Sequence, residues 1–211
     1  MSDSDSEHDP SSFFNNVFKK EIEIKVDGNK IYFYKSITRD NILNLNMLLS
    51  EKSSKIVELC SKLGIVDYPP IYLFINSEGG DCFAGLSGAD HIKNLEVPVY
   101  TVIDGITASA ATFLSLAGKK RFVQKYSWVL VHQIRTWFSG TYEELKDEMQ
   151  NSERIMGILR TMYLENTKIG KKIDTFFKHD LYIDSAEVIK LGIADEIYDG
   201  KNNKKRKYSK E

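Results

Sequence analysis

Ser109 is a candidate nucleophile. It lies in a stretch of small residues, IDGITASAATFLSLAG (residues 103–118), directly after an apolar run that is typical of a β-strand. Small residues also allow close backbone packing, so the stretch alone is compatible with a purely structural role. A serine hydroxyl becomes a nucleophile only when a neighbouring base removes its proton. Catalysis by this residue therefore requires a histidine and a carboxylate that the fold brings to it.

His132 is the candidate base among four histidines. It ends the apolar run WVLVHQI (residues 128–134), which predicts a strand, whereas His8 lies in an acidic segment, His91 in a predicted helix and His179 in a charged loop. Ligand sites of open α/β sheets form at the carboxyl ends of the strands, where His132 is placed. A histidine that ends a buried strand is also often a packed residue, so this position alone does not establish a base.

Four aspartates could orient that histidine. Asp174, Asp180, Asp184 and Asp195 all follow it in the chain, and spacing alone does not choose among them. The position of Asp184 before SAEVIKLG is typical of a helix N-cap. Asp174 lies in a segment where a helix would direct it to solvent.

Two glycines and one alanine could supply the backbone N–H groups of an oxyanion hole. Gly79 and Gly80, in NSEGGD, permit positive φ angles and close approach to a ligand, and Ala110 follows Ser109 at a predicted helix start. The double glycine is equally compatible with a simple tight turn. It lacks the spacing of a dinucleotide-binding loop and the lysine of a P-loop. Ser109 is not in a G-x-S-x-G motif, so an α/β-hydrolase is not indicated.

The order of predicted elements indicates an α/β protein with a parallel sheet. Alternation around Asp27-Gly28 predicts a hairpin. Apolar runs predict strands, and 3.6-residue spacing predicts helices. The predicted strands are IYLFINS, residues 97–103 and WVLVHQI. The first predicted helix begins at Thr38 or Asp40, and the next two lie in AGLSGADHIKNL and ATFLSLAG. The last predicted helix begins at Thr141 and ends at Gly170.

Composition restricts the functional class. The chain has 211 residues and a net charge of -1, which gives no indication of nucleic acid as a partner. Its acidic, serine-rich start (residues 1–20) and basic end (200–211) predict disordered tails around one domain at 21–199. The two cysteines lack the spacing of metal ligands, so no metal site is predicted. Two isolated thiols are typical of a protein in a reducing compartment. The absence of a membrane-length apolar run and of a signal-peptide pattern predicts a cytoplasmic protein without a membrane partner.

The sequence resembles the ClpP family, the proteolytic subunits of the ATP-dependent Clp protease. Four segments carry the resemblance, in family order and at near-family spacing, over residues 21–199: IYLFINSEGGDCFAG, GITASAATFLSLAGKKRF, VLVHQ and TKIGKKIDTFFKHDLYIDSAEVIKLGIADEI. The resemblance implies the ClpP/crotonase-like α/β fold, with stacked βαβ units and a protruding handle helix over residues 141–166.

The resemblance also implies roles for individual residues. Ser109 matches the nucleophile, His132 the general base and Asp180 the third member of a catalytic triad. Gly80 and Ala110 match the oxyanion donors. The substrate groove, where an extended peptide would add as a strand, is implied at three further positions: Gly79, Gln133 and Ile134.

The family further implies an assembly and its partners. Two stacked heptameric rings would enclose a chamber in which unfolded polypeptides are cut. This subunit would need no cofactor, since ATP is used by a partner AAA+ unfoldase. The sequence departs from the family at Glu78, Thr107 and Ile134, where proline, alanine and proline are usual. The family's N-terminal axial loop is not recognisable in residues 1–20, and the segment 52–68 is longer than in the family.

Two other functions are compatible with parts of the pattern. A crotonase-like acyl-CoA enzyme shares the fold and the glycine-turn oxyanion hole, but its chemistry does not require Ser109, His132 and Asp180 together. A non-catalytic ring subunit would share the assembly, but the presence of all three residues does not favour it. Labelling with a fluorophosphonate distinguishes these hypotheses.

Overall fold

The structure is a computed structural model that describes residues 23–200. The predicted tails lie outside these residues, apart from Gly200. Within the described range, no helix is both long enough and apolar enough to cross a membrane.

The described chain folds around one mixed sheet of eight strands. They are β1 (Lys25–Asp27), β2 (Lys30–Phe33), β3 (Ile71–Ser77), β4 (Val99–Ala108), β5 (Lys120–Val123), β6 (Trp128–Leu130), β7 (Tyr182–Asp184) and β8 (Glu196–Ile197). Strands β2, β3, β4, β5 and β8 run parallel in that order. Strand β1 forms the predicted hairpin with β2, and β7 pairs antiparallel with β6. The predicted parallel α/β architecture is therefore confirmed.

Strand β4 is longer than predicted because it pairs with two strands in succession on the same side. Its first part, Tyr100–Ile103, pairs with β5, and its last part, Ile106–Ala108, pairs with β6. Gly105 lies between the two parts with φ +79°, and a side chain there would collide with Asn76. The extension carries β4 directly to the candidate nucleophile.

Six α-helices cover the sheet within residues 23–200. Thr38 and Thr141 cap the first and the fourth, and Thr141 forms a capping box with Glu144. The long segment 52–68 is largely helical, since the first helix continues to Lys62. The helices are α1 (Arg39–Lys62), α2 (Cys82–Asn94), α3 (Ala111–Leu116), α4 (Tyr142–Asn166), α5 (Ile173–Lys178) and α6 (Ser185–Lys190).

Strand β3 is buried on both faces, as its continuous apolar sequence predicts. Ile71, Leu73 and Ile75 belong to the main core, which includes residues of α1, α2 and α3. The alternate residues Tyr72 and Phe74 face an aromatic cluster on the other side of the sheet. This double coverage fixes the position of the strand that leads into Gly79 and Gly80.

Helix α4 extends away from the core at its N-terminal end. Only Leu159 and Tyr163, in its C-terminal part, are buried, whereas Leu145, Met149 and Ile158 are exposed apolar residues. The helix ends at Asn166 rather than at the predicted Gly170, which instead begins a short 3₁₀ turn (Gly170–Lys172). The first half of α4 therefore projects as a handle.

Candidate active site

Ser109 adopts a left-handed backbone conformation between β4 and α3. Its φ is +54°, and no other non-glycine residue among 23–200 has a positive φ. Such a conformation costs a side-chain-bearing residue about 1–2 kcal/mol. Its N–H donates to the carbonyl of Leu130 (2.8 Å), and its own carbonyl accepts from the N–H (2.9 Å) and the hydroxyl (2.6 Å) of Thr112. Neighbouring hydrogen bonds therefore hold this strained turn, as is typical of functional sites.

Position 79 requires a glycine because it lies directly against Ser109. Its φ is +96°, and a Cβ there would lie 2.6 Å from the Cβ of Ser109 and 2.7 Å from the carbonyl oxygen of Ala108. The same Cβ would lie 3.2 Å from the backbone nitrogen of Ala110. A glycine at this position thus leaves space beside the N–H group that follows the candidate nucleophile.

Gly80 is oriented by a single parallel bridge to Ile37. Ile37 donates to the carbonyl of Gly79 and accepts from the N–H of Asp81, both at 2.8 Å. Because backbone groups alternate in direction along an extended chain, the N–H of Gly80 points away from Ile37. Its φ is +146°, and a side chain there would collide with the Ile37 carbonyl.

A cavity of about 520 Å³ brings most of the predicted site residues together. Its other walls are largely apolar and aromatic, with charged groups from Glu78, Asp81 and Arg135. The predicted site residues among its lining are Ser109, His132, Gly80, Ala110, Gln133 and Ile134. Gly79 and Asp180 are not among the lining residues.

His132 lies beyond β6, which ends at Leu130 rather than continuing through the histidine. The pairing of β6 stops where the Leu130 carbonyl accepts from Ser109. The ring of His132 is half-buried. Its Nδ1 atom is buried and has no hydrogen-bond partner in the described part of the chain.

Asp180 is placed beside the histidine segment but is bound to another residue. The N–H of Gln133 donates to the carbonyl of Phe177 at 3.3 Å, which joins the histidine segment to the one that carries Asp180. The carboxylate of Asp180 forms an ion pair with the guanidinium of Arg135. The role of Asp180 as the partner of His132 therefore stays a prediction.

The other three aspartates are engaged elsewhere. Asp174 pairs with Arg160, whose hydrogen bond lowers the pKa of this carboxyl. Asp184 caps α6 by accepting from the N–H of Glu187 (2.8 Å), which confirms its interpretation as an N-cap. Asp195 accepts from the backbone N–H (2.8 Å) and the side chain (3.1 Å) of Arg121. These three carboxylates are therefore bound to groups other than His132.

Three residues with contacts to the candidate site residues were not identified from the sequence. The hydroxyl of Tyr163, on α4, forms a hydrogen bond with that of Thr112, which in turn donates to the carbonyl of Ser109. Burial raises the pKa of Tyr163 well above the usual range, so this hydroxyl stays protonated. The third is Arg135, which holds Asp180. No local pattern marks these residues.

The three residues that depart from the family pattern, Glu78, Thr107 and Ile134, all lie in or next to the candidate site. The hydroxyl of Thr107 donates to the carbonyl of Ile75 at 3.0 Å, which bridges β4 to β3 inside the core. Glu78 and Ile134 line the cavity. The chain therefore presents a carboxylate and an aliphatic side chain where the family usually has proline.

This arrangement defines a class of site. A serine in a strained strand-to-helix turn, a histidine that shares its cavity, and adjacent glycine and alanine N–H groups are suited to acyl transfer. Within residues 23–200, no group of three or more His, Cys, Asp or Glu side chains is placed to hold a metal ion.

Comparison with known proteins identifies the family. The family model described as Clp protease matches residues 27–201. The chain is 32% identical to ATP-dependent Clp protease proteolytic subunit 2 of Treponema denticola, over 79% of this chain and 84% of that protein. It is 30% identical to the ATP-dependent Clp protease proteolytic subunit of Cyanophora paradoxa, over 90% of this chain and 96% of that protein. The chain belongs to the Clp protease family.

Proposed function

We propose that this chain is a serine endopeptidase that cuts peptide bonds of unfolded proteins. The observation that carries the proposal is the left-handed turn at Ser109, which places this serine in the same cavity as His132 and the N–H donors. A residue that only fills space gains nothing from such strain, whereas a nucleophile gains exposure and a fixed direction. Membership of the Clp protease family supports the same function.

In the proposed reaction, Oγ of Ser109 forms a bond to the peptide carbonyl carbon while Nε2 of His132 takes the hydroxyl proton. The negative charge that develops on the carbonyl oxygen is stabilised by the N–H groups of Gly80 and Ala110. His132 then donates its proton to the departing amine, and the C–N bond breaks. Water, activated by the same histidine, hydrolyses the acyl-enzyme. Asp180 orients and stabilises the charged imidazole.

Substrate binding is proposed to occur along the segment that follows His132. Gln133 and Ile134 line the cavity, and the chain from Val131 to Ser139 has no regular secondary structure. An extended peptide that adds here as a strand would be held by backbone hydrogen bonds, with Gly79 and Gly80 opposite. Such binding depends little on side-chain identity, which suits unfolded polypeptides.

We also propose that the chain works in an assembly of two stacked heptameric rings. Exposed apolar residues of α4, Leu145, Met149 and Ile158, supply a surface that a second copy could bury. The relatives are named as subunits of an ATP-dependent protease. We therefore propose an AAA+ unfoldase as the partner that uses ATP, with no cofactor in this subunit. The two free cysteines support a reducing compartment such as the cytoplasm.

A non-catalytic ring subunit is the second candidate. One observation favours it: Nδ1 of His132 is unpartnered and the carboxylate of Asp180 is bound to Arg135. In such a subunit the chain would assemble without hydrolysing peptides. The crotonase-like alternative has no comparable supporting observation.

The proposal is tested by labelling the purified protein with a fluorophosphonate and assaying a fluorogenic peptide. We expect covalent labelling at Ser109, hydrolysis of the peptide, and loss of both in Ser109→Ala. Absence of labelling in an assembled, folded wild type would reject the peptidase and favour the non-catalytic subunit. Native mass spectrometry tests the assembly separately, with fourteen copies of the 24.2 kDa chain expected.

A further inference from the structure

Two groups that the proposed triad must join are separated in this structure. Nδ1 of His132 is buried without a hydrogen-bond partner, and the carboxylate of Asp180 is bound to Arg135. A buried polar atom without a partner is energetically unfavourable and is rare in native proteins. Nδ1 of His132 therefore lacks a hydrogen-bond acceptor. The candidate acceptor, the Asp180 carboxylate, is instead bound to Arg135, which lies three residues after His132 in the chain.

We propose that Arg135 is a positioning residue that competes with His132 for Asp180 and so sets the fraction of active sites with a complete triad. This inference rests on the proposed function, since it concerns the same triad. Arg135 also lines the cavity that contains Ser109 and His132. When the carboxylate is on Arg135, the imidazole lacks its orienting group; when it moves to Nδ1, the triad is complete.

The geometry allows this exchange to be reversible. The side chain of Arg135 is 73% exposed and that of Asp180 is 49% exposed. An ion pair at this exposure shifts an equilibrium by about fivefold or less, and salt screens it. A pairing of this strength lowers the fraction of complete triads without abolishing it. The competing His132 position is buried, where a hydrogen bond to a carboxylate is stronger than at the surface.

The backbone on both sides of the ion pair is tied to neighbouring segments, and we therefore assign the exchange to the side chains. Gln133 donates to the carbonyl of Phe177 at 3.3 Å, and the N–H of Ile134 contacts the sulfur of Met156 at 3.4 Å. The N–H of His179 donates to the carbonyl of Thr175 at 3.1 Å. These contacts restrain the backbone on both sides of the ion pair, and the proposed exchange uses rotation of Asp180 about its own side-chain bonds.

The experiment compares Arg135→Gln with the wild type and with Arg135→Lys, each in the Asp180 and the Asp180→Asn background. The glutamine keeps most of the side-chain length without the charge, and the lysine keeps the charge without the planar fork. The readouts are kcat and KM for a fluorogenic peptide at low and high salt, the rate of fluorophosphonate labelling, and the downfield ¹H signal of a histidine Nδ1–H bound to a carboxylate. His132→Gln assigns that signal.

We expect Arg135→Gln to raise kcat about two- to fivefold at low salt. Added salt should bring the wild type toward the variant and leave the variant unaffected. Arg135→Lys should resemble the wild type. The effect should disappear in Asp180→Asn, because Arg135 acts only through that carboxylate. The downfield signal should be stronger in Arg135→Gln than in the wild type.

Two kinetic results would overturn the inference. The first is a lower or unchanged kcat in Arg135→Gln at all salt concentrations, and the second is a gain in kcat that persists without the Asp180 carboxylate. The failure of the proposed function looks different, since neither protein would then be labelled. Even in that case the NMR signal tests whether Arg135 and His132 compete for Asp180, because it reports the His132–Asp180 hydrogen bond in the absence of turnover. An unchanged signal in Arg135→Gln would reject the inference.

Discussion

The hydroxyl of Tyr163 on α4 donates a hydrogen bond to the hydroxyl of Thr112 on α3. The direction follows from proton counting: Thr112 has one hydroxyl proton and gives it to the carbonyl of Ser109 at 2.6 Å, so it can only accept from Tyr163. The handle helix is thereby connected to the backbone of the candidate nucleophile through two hydrogen bonds in a buried site. Changes at either hydroxyl should therefore affect both stability and the turn at Ser109.

Tyr163→Phe should lower the free energy of unfolding by about 1 kcal/mol, because one hydrogen bond is lost while Thr112 can still donate to Ser109. Thr112→Val should cost more, about 1–3 kcal/mol, since it leaves the buried Tyr163 hydroxyl and one Ser109 bond without a partner. Denaturant unfolding and fluorophosphonate labelling measure the two effects. If both variants were as stable as the wild type, the hydrogen bonds from Tyr163 through Thr112 to Ser109 would not contribute to stability.

Ser109→Ala and Ser109→Gly should both abolish hydrolysis but differ in stability. Loss of a triad nucleophile lowers kcat on the order of 10⁶. Alanine retains the cost of the left-handed conformation, φ +54°, whereas glycine relieves it at some cost in unfolded-chain entropy. The glycine variant should therefore be more stable than the alanine variant by about 0.5–1 kcal/mol. Thermal unfolding checks this order, and a less stable glycine variant would show that the turn is not strained.

Gly79→Ala should destabilise the protein by about 1–3 kcal/mol and slow labelling at Ser109, since its Cβ would lie 2.6 Å from that of the serine. Gly157→Ala is the matched control. Gly157 lies within α4, and a Cβ there meets nothing within 4 Å. The control should gain about 0.5–1 kcal/mol through reduced backbone entropy. Unchanged labelling in Gly79→Ala would show that the close approach is not needed.

The fold was largely predictable where local signals are strong. The turn at Asp27-Gly28 and the N-cap Thr141 follow from residue type and periodicity, and the structure confirms both. Of the two candidate N-caps Thr38 and Asp40, the structure selects Thr38. Strands β5 and β8 were missed because they have only four and two residues and are defined by pairing with distant partners. The same reason explains the end of β6 at Leu130, where pairing stops although the apolar sequence continues.

The site was predictable only in part. Ser109 and His132 follow apolar runs in a pattern that places them at strand ends, and the structure brings them to one cavity. The contacts of Thr112 with Tyr163 and of Arg135 with Asp180 join residues 51 and 45 positions apart. Such pairs depend on how helices and loops pack, and neither residue type nor local spacing indicates them.

Asp174 provides a pH-dependent prediction. Its hydrogen bond to Arg160 and the charge of that residue lower the pKa of the Asp174 carboxyl in the folded chain. Such a carboxyl adds stability above its unfolded pKa, about 3.9, and this contribution is lost as the pH falls through the folded value. Asp174→Asn should thus lower Tm at pH 7 slightly and have a diminishing effect below pH ~4. Arg160→Gln should behave alike, and the double variant should add little. A constant Tm difference across this range would contradict the assignment.

Asp180→Asn and Asp184→Ala should have opposite consequences. Asparagine at position 180 keeps the shape but removes the charge that would orient and stabilise His132, and in triads of this kind the change costs about 10⁴ in kcat. Because Asp180 is half-exposed, its replacement should leave Tm nearly unchanged. Asp184 instead accepts from the N–H of Glu187 at 2.8 Å, and removing this cap should cost about 1 kcal/mol of stability with little effect on turnover. Measuring kcat and Tm on both variants decides between the roles. If turnover falls mainly in the Asp184 variant, the third triad member is not Asp180; if it falls in neither, the histidine works without a carboxylate partner.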